Sequence, residues 1–153
     1  MQNIIVSYSA DLLKLMGTKL ASQVIHQKDK LPQIKMWQSV VLTAFEDVVC
    51  RLSDKKSAIH KWEAFKWFHC REDFEQVCYL ADFEPGYVKE RFQVAIDNED
   101  IMFTQKQIAW AKYYEVLIKF HDAKDKKSKR ELKKQLEIKR LAIFHAPHLT
   151  PTS

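Results

Sequence analysis

The sequence predicts an all-α protein, a compact bundle of six or seven helices with a central helix-turn-helix and a basic C-terminal helix. Two observations carry this prediction. The 153 residues contain two glycines and four prolines, too few for the tight turns of a β-rich chain or for a phosphate-cradling loop. Apolar residues, 46% of the chain, recur at intervals of three and four, which is the period of a helix face.

The first two helices are predicted from their apolar stripes. A helix over residues 10–27 has the inward face Leu12, Leu13, Met16, Leu20 and Val24, with Ile25 as a further candidate. Gly17 weakens this segment, because glycine is a poor helix former. Pro32 suits the first position of a helix, so a second helix begins there and ends before residues 53–57. Its inward face is Trp37, Val40, Val41, Ala44, Val48 and Leu52.

Three shorter helices follow in the middle of the chain. The third, residues 58–69, is expected near the centre of the core, because it carries more aromatic surface than one helix face buries alone. The aromatic residues concerned are Trp62, Phe65 and either Trp67 or Phe68. The fourth begins near Glu72, whose charge suits a helix N-terminus, and is interrupted at residues 82–84. Pro85 then starts the fifth.

The last part of the chain contains two longer helices and a tail. Thr104 and Gln107 have the spacing of a capping box, which predicts the start of the sixth helix. The seventh, residues 128–144, is expected to be partly exposed, because its apolar stripe is thin. That stripe is Leu132, Leu136, Ile138 or Lys139, and Ile143. The predicted organisation is a helical domain (1–121), a basic helix or arm (122–144) and a disordered, proline-broken tail (145–153).

The strongest local pattern is the helix-turn-helix predicted in DFEQVCYLADFEPGYVKERF, residues 73–92. Two steeply crossing short helices need a small residue facing the partner helix, an apolar residue in the turn and another that anchors the second helix. The residues that fill these roles in order are Cys78 or Ala81, Phe83 and Val88. Asp82 stands where glycine is usual, and aspartate tolerates the left-handed conformation better than most residues. Arg91 stands where an apolar residue is expected.

This stretch, together with the tryptophan-rich helix before it, resembles small helix-turn-helix proteins of phages, prophages and gene-transfer-agent clusters in proteobacteria. The resemblance covers about residues 37–93. The matching residues are Trp67-Phe68, Asp73-Phe74, Val77-Cys78, Leu80-Ala81, Pro85 and Val88-Lys89. At the turn the family pattern reads Ala-Gly-Leu-Asp-Pro, whereas residues 81–85 read Ala-Asp-Phe-Glu-Pro. The resemblance implies a DNA-binding protein that acts in transcriptional regulation or, alternatively, as a small terminase-like packaging subunit.

Charge is distributed unevenly along the chain. Residues 122–140 contain nine Lys or Arg against four Asp or Glu, whereas residues 71–100 contain three against nine. Cations that neutralise phosphates supply most nonspecific DNA affinity, so the basic segment is the predicted phosphate-binding surface. Its residues are Lys126, Lys127, Lys129, Arg130, Lys133 and Lys134. The predicted base-facing residues of the fifth helix are Tyr87, Lys89, Glu90 and Gln93.

Two other interpretations of these charges stay open. The basic run is equally typical of a solvated helix face, and residues 132–143 allow self-association into a homo-oligomer. The acidic residues 72–100 are also typical of an adaptor that meets a basic protein partner without binding nucleic acid.

Catalysis is not expected, and no cofactor or metal is predicted. His69, Cys70 and Cys78 form the nearest metal-like cluster, but the two cysteines are eight residues apart and no CxxC or HxxxH pair is present. The three cysteines suit a reducing cytoplasm. No apolar run approaches the roughly 20 residues that span a bilayer, so no membrane partner is expected.

Overall fold

The computed structural model describes residues 9–25 and 30–147, and over these residues the chain forms seven α-helices and no β-strand. The helices are α1 (Ala10–Ile25), α2 (Pro32–Val49), α3 (Lys55–His69), α4 (Arg71–Leu80), α5 (Pro85–Asp97), α6 (Gln105–Asp122) and α7 (Lys126–His145). The predicted all-α fold is confirmed. Residues 148–153 of the predicted tail lie outside the described residues, as do residues 26 and 27 at the predicted end of the first helix.

Two compact units divide these helices. The first contains the described residues of Met1–Val48 and Ala64–Ile101, and therefore α1, nearly all of α2, the end of α3, and α4 and α5. The second contains those of Val49–Glu63 and Met102–Ser153, and therefore the start of α3 with α6 and α7. The domain boundary predicted after residue 121 falls inside α6, one residue before that helix ends.

Aromatic side chains from four helices form the core of the first unit. Phe68 is fully buried and stacks nearly parallel to Phe92, with 4.3 Å between ring centroids. Phe45 lies 5.0 Å and Phe74 5.8 Å from the same ring. Of the two alternatives at the end of the third helix, Phe68 rather than Trp67 therefore takes the central place. The predicted stripe of α1 is buried at Leu12, Met16, Leu20 and Val24.

The buried face of α2 differs from the predicted one. Val40 is 40% exposed, and Leu52 lies beyond the end of the helix and is 65% exposed. Leu42 and Phe45 are buried instead, so the inward face is rotated relative to the predicted stripe. The periodicity of an apolar-rich helix permits either face, and packing against Phe68 selects the one that contains Phe45.

Two helices, α3 and α7, begin earlier than predicted, because an aspartate caps each of them. The Asp54 carboxylate accepts a hydrogen bond from the Ser57 backbone N–H at 3.1 Å, so α3 begins at Lys55 rather than near residue 58. The Asp125 carboxylate accepts from the Ser128 N–H at 2.8 Å, so α7 begins at Lys126. Aspartate accepts from the third residue after it in both cases, and the helix includes the residues between.

A break in α1 explains the unexpected charge at position 91. Gly17 has φ +82°, which interrupts the helical hydrogen bonding of α1. The Arg91 guanidinium donates from Nε to the Leu15 carbonyl at 3.1 Å and from Nη2 to the Lys14 carbonyl at 3.4 Å. A Cβ at position 17 would lie 2.7 Å from the Tyr87 hydroxyl oxygen and 2.9 Å from Arg91 Nε. An apolar residue at position 91 would remove the Arg91 donor from both carbonyls.

A buried lysine organises the second unit. Lys61 is fully buried, and its ammonium donates to the Cys50 carbonyl at 2.7 Å, to Gln107 Oε1 at 3.1 Å and to the Met102 carbonyl. Gln107 also completes the predicted capping box with Thr104, which confirms the start of α6. Desolvation by burial lowers the pKa of Lys61 from 10.5 to about 8. Sequence reasoning missed this network because lysine is seldom buried.

Helix α7 packs along α6 through a single face. The residues of lower exposure on α7 are Leu132, Leu136, Lys139 and Ile143, spaced as one helical stripe. The sequence left either Ile138 or Lys139 as the inward residue of this turn. The structure places Lys139 there, and Ile138 is 65% exposed. Leu141 and Phe144 are also exposed, at 63% and 82%.

Candidate nucleic-acid interface

Helices α4 and α5 form the predicted helix-turn-helix, joined by residues 81–84. Asp82 adopts φ +59°, the left-handed conformation expected of it. The Phe83 N–H donates to the Cys78 carbonyl at 2.8 Å, and the Asp82 N–H donates to the Tyr79 carbonyl at 3.1 Å. These two hydrogen bonds form the Schellman motif, which ends many helices and usually has glycine in the left-handed position. Here aspartate takes that position and the turn keeps the same hydrogen bonds.

Side chains fix the turn from both sides. The Glu84 carboxylate accepts from the N–H groups of Gly86 at 3.0 Å and Tyr87 at 2.6 Å and so caps α5. The Lys30 ammonium lies 2.6 Å from the Asp82 carboxylate. The amide of Gln38 donates to the Ala81 carbonyl at 3.0 Å in the buried interior.

The small and apolar residues predicted to join the two helices are buried. The exposed fractions of Cys78, Ala81, Phe83 and Val88 are 2% or less. Burial raises the pKa of the Cys78 thiol to about 12, with smaller contributions from the charges of Glu84 and Glu75. Cys78 therefore stays protonated and serves as a small core residue.

Two of the four predicted base-facing residues of α5 are engaged within their own unit. The Lys19 ammonium lies 5.2 Å from the centroid of the Tyr87 ring. The Lys89 ammonium donates to the Phe68 carbonyl at the end of α3 and lies 5.7 Å from the Phe92 ring centroid. These contacts direct Tyr87 and Lys89 toward neighbouring helices.

The other two predicted base-facing residues, Glu90 and Gln93, are exposed. The Gln93 amide donates to Asp97 Oδ1 at 3.0 Å. Acidic side chains outnumber basic ones among the exposed residues of α4, α5 and the turn between them, and Tyr79 is 69% exposed. The acidic residues are Glu72, Asp73, Asp82, Glu84, Glu90 and Asp97. The exposed charge of the helix-turn-helix is therefore mainly negative, with Arg71 and Lys89 as its exposed basic residues.

The six predicted phosphate-binding residues share one face of α7, here called the basic face: Lys126, Lys127, Lys129, Arg130, Lys133 and Lys134. All six are exposed. At about 100° per residue they fall within an arc of roughly 160°, and Glu131, the acidic residue in this stretch, lies outside that arc. None of the six forms an ion pair with a described residue, and the Lys129 ammonium lies 6.0 Å from the Phe120 ring centroid.

Several charge pairs within the basic face are unfavourable for α7. Like charges four residues apart repel, as at Lys126 and Arg130, at Lys129 and Lys133, and at Arg130 and Lys134. The two lysines of the first turn also face the positive end of the helix dipole. An anionic partner would relieve both effects.

Among the described residues, no group of three or more His, Cys, Asp and Glu side chains is placed to hold a metal ion. Cys70 is exposed before the start of α4, whereas Cys78 is buried. Of the helices that the structure describes, none combines the length and apolar character needed to cross a membrane.

Comparison of the chain with protein-family models, with curated proteins and with solved structures finds no match. The resemblance to phage and prophage helix-turn-helix proteins therefore stays a prediction that rests on the residues quoted for it.

Proposed function

We propose that this chain is a non-enzymatic DNA-binding protein of phage or prophage type, that its role is transcriptional control, and that α7 supplies the phosphate contacts. The observation that carries the proposal is the basic face: six exposed cations on one side of a helix, none of which forms an ion pair with a described residue.

The charge density of the basic face suits a nucleic-acid backbone. Residues 126–134 span about 12 Å of helix axis, so six positive charges correspond to about one every 2 Å. Duplex DNA carries one negative charge per about 1.7 Å of its axis. Each phosphate that a lysine or arginine neutralises releases condensed counterions, which makes binding favourable and dependent on salt.

The helix-turn-helix has a smaller part in this proposal. Its exposed carboxylates repel phosphates, so α5 adds little affinity. Glu90 and Gln93 are the exposed candidates for base contacts, since glutamine bonds to adenine and glutamate accepts from the amino group of cytosine. Affinity is therefore assigned to α7, and any preference between sequences to α5.

The test is fluorescence anisotropy of a short random-sequence duplex with the full-length protein at several salt concentrations. Six phosphate contacts predict a slope of log affinity against log salt of roughly −5. Replacement of Lys129, Arg130, Lys133 and Lys134 by Gln is expected to reduce the slope to roughly −2. The matched control removes the same charge elsewhere, by Gln replacement of the exposed Lys14, Lys35, Lys56 and Lys119.

An unchanged slope in the α7 variant, or an equal loss in the control, would contradict the assignment to the basic face. Absence of binding at low salt would overturn DNA binding itself. The acidic surface with its exposed Tyr79 would then direct the search toward a basic protein partner.

A further inference from the structure

A groove runs beside the seam of α6 and α7, away from the basic face. Its volume is about 330 Å³. Ile108, Ala109, Ala142 and Ala146 form an apolar floor, and Gln105 lies at the start of α6. Three alanines contribute to this floor, and their small side chains leave space open between the two helices.

Two lysines line the same groove, Lys112 from α6 and Lys139 from α7. Lys139 belongs to the inward stripe of α7, where an apolar residue would pack against α6. Neither ammonium group forms an ion pair or a hydrogen bond with a described residue. Both lysines carry a positive charge, so the groove combines an apolar floor with a cationic lining that attracts an anion.

The size of the groove limits what it accepts. Small-molecule sites usually measure about 300–1,000 Å³, so this groove lies at the lower end of the range. A single short chain fits that volume, whereas a protein segment or a duplex requires a much larger surface. An apolar floor beside two cations is complementary to a molecule with an anionic head and a short hydrocarbon part.

We propose that this groove binds a small amphiphilic carboxylate. Its head contacts the ammonium groups of Lys112 and Lys139, and its hydrocarbon part lies on Ile108 and the alanines. Hydrogen bonds to charged groups and burial of a few methylene groups both stabilise the complex. The inference does not depend on DNA binding, because neither lysine belongs to the basic face.

The experiment is titration of the full-length, ¹⁵N-labelled protein by NMR with octanoate, 1-octanol, acetate and inorganic phosphate. Octanoate is expected to shift the amide signals of residues 105–112 and 139–146 saturably. Binding of 1-octanol, acetate and phosphate is expected to be about tenfold weaker or more, because each lacks the head or the hydrocarbon part. Equal binding of phosphate and octanoate would overturn the proposal, since the apolar floor would then contribute nothing.

Three variants distinguish binding in the groove from a general effect of charge. Replacement of Lys112 and Lys139 by Gln is expected to weaken octanoate binding about tenfold or more. Replacement of Lys133 and Lys134 by Gln removes the same charge from the basic face and should leave octanoate binding unchanged. Ala142→Leu fills the groove without a change in charge and should also abolish the shifts. Octanoate binding that survives the lysine replacement, or Ala142→Leu in a folded protein, would contradict the proposal.

Discussion

Helices α5 and α7 were both expected to meet DNA, yet their cations are used differently. On α5, Lys89 donates to the Phe68 carbonyl and Arg91 donates to two carbonyls at the break in α1. On α7, the basic face has no acceptor among the described residues. The sequence alone therefore does not distinguish a lysine or arginine that its own fold engages from one that has no acceptor among the described residues.

The largest effect on this comparison is expected from Arg91→Leu. This replacement leaves the carbonyls of Lys14 and Leu15 without their donor, and we expect a loss of about 2 kcal/mol in the free energy of unfolding, measured with urea. DNA affinity should stay within twofold of the original, which corresponds to about 0.4 kcal/mol of binding free energy. The matched change Arg130→Leu on α7 should weaken DNA binding and leave the free energy of unfolding nearly unchanged. A loss of stability equal to that of Arg91→Leu would contradict the different use of cations on the two helices.

A smaller effect is expected from the titration of Lys61, which is likewise held by carbonyl oxygens. Its pKa is about 8 in the folded protein and 10.5 ordinarily, so between these values the unfolded chain binds more protons and stability rises with pH. From pH 7.5 to 9 we expect a gain of about 1 kcal/mol relative to Lys61→Met, measured by urea unfolding at each pH. If the stability difference between the original protein and Lys61→Met does not change from pH 7.5 to 9, Lys61 titrates outside this pH range.

The smallest effect is expected from Lys89→Gln. The side chain is exposed although its ammonium bonds to the Phe68 carbonyl, so we expect a loss of less than about 1 kcal/mol of stability. The salt slope of DNA binding should not change, whereas Lys133→Gln should reduce it by about one unit. A reduced slope in Lys89→Gln would return this residue to the base-facing or phosphate-binding set.

Local chemistry made much of the fold predictable. Pro32 and Pro85 begin helices, and Thr104 with Gln107 caps α6, because each signal acts within a few residues. The turn at Asp82 was predictable for the same reason. The position of α7 within the sequence and the cations of its basic face could also be read directly.

Other features depended on contacts between distant residues. The acceptor of Lys89 lies 21 residues away and that of Arg91 lies 76 residues away, so no local pattern indicated that these cations are engaged. Burial of Lys61 requires carbonyls from two loops and the side chain of Gln107. The groove at Lys112 and Lys139 also escaped sequence reasoning, because the partner helices meet only in the folded chain.

The contact between Gly17 and Arg91 has an evolutionary consequence. A relative with alanine at position 17 would form an unbroken α1 whose own N–H groups satisfy the carbonyls of residues 14 and 15. Arginine at position 91 would then have no acceptor, and the apolar residue expected at that place in a helix-turn-helix would pack better. Positions 17 and 91 are therefore expected to change together in the descendants of this sequence, although 73 residues separate them along the chain.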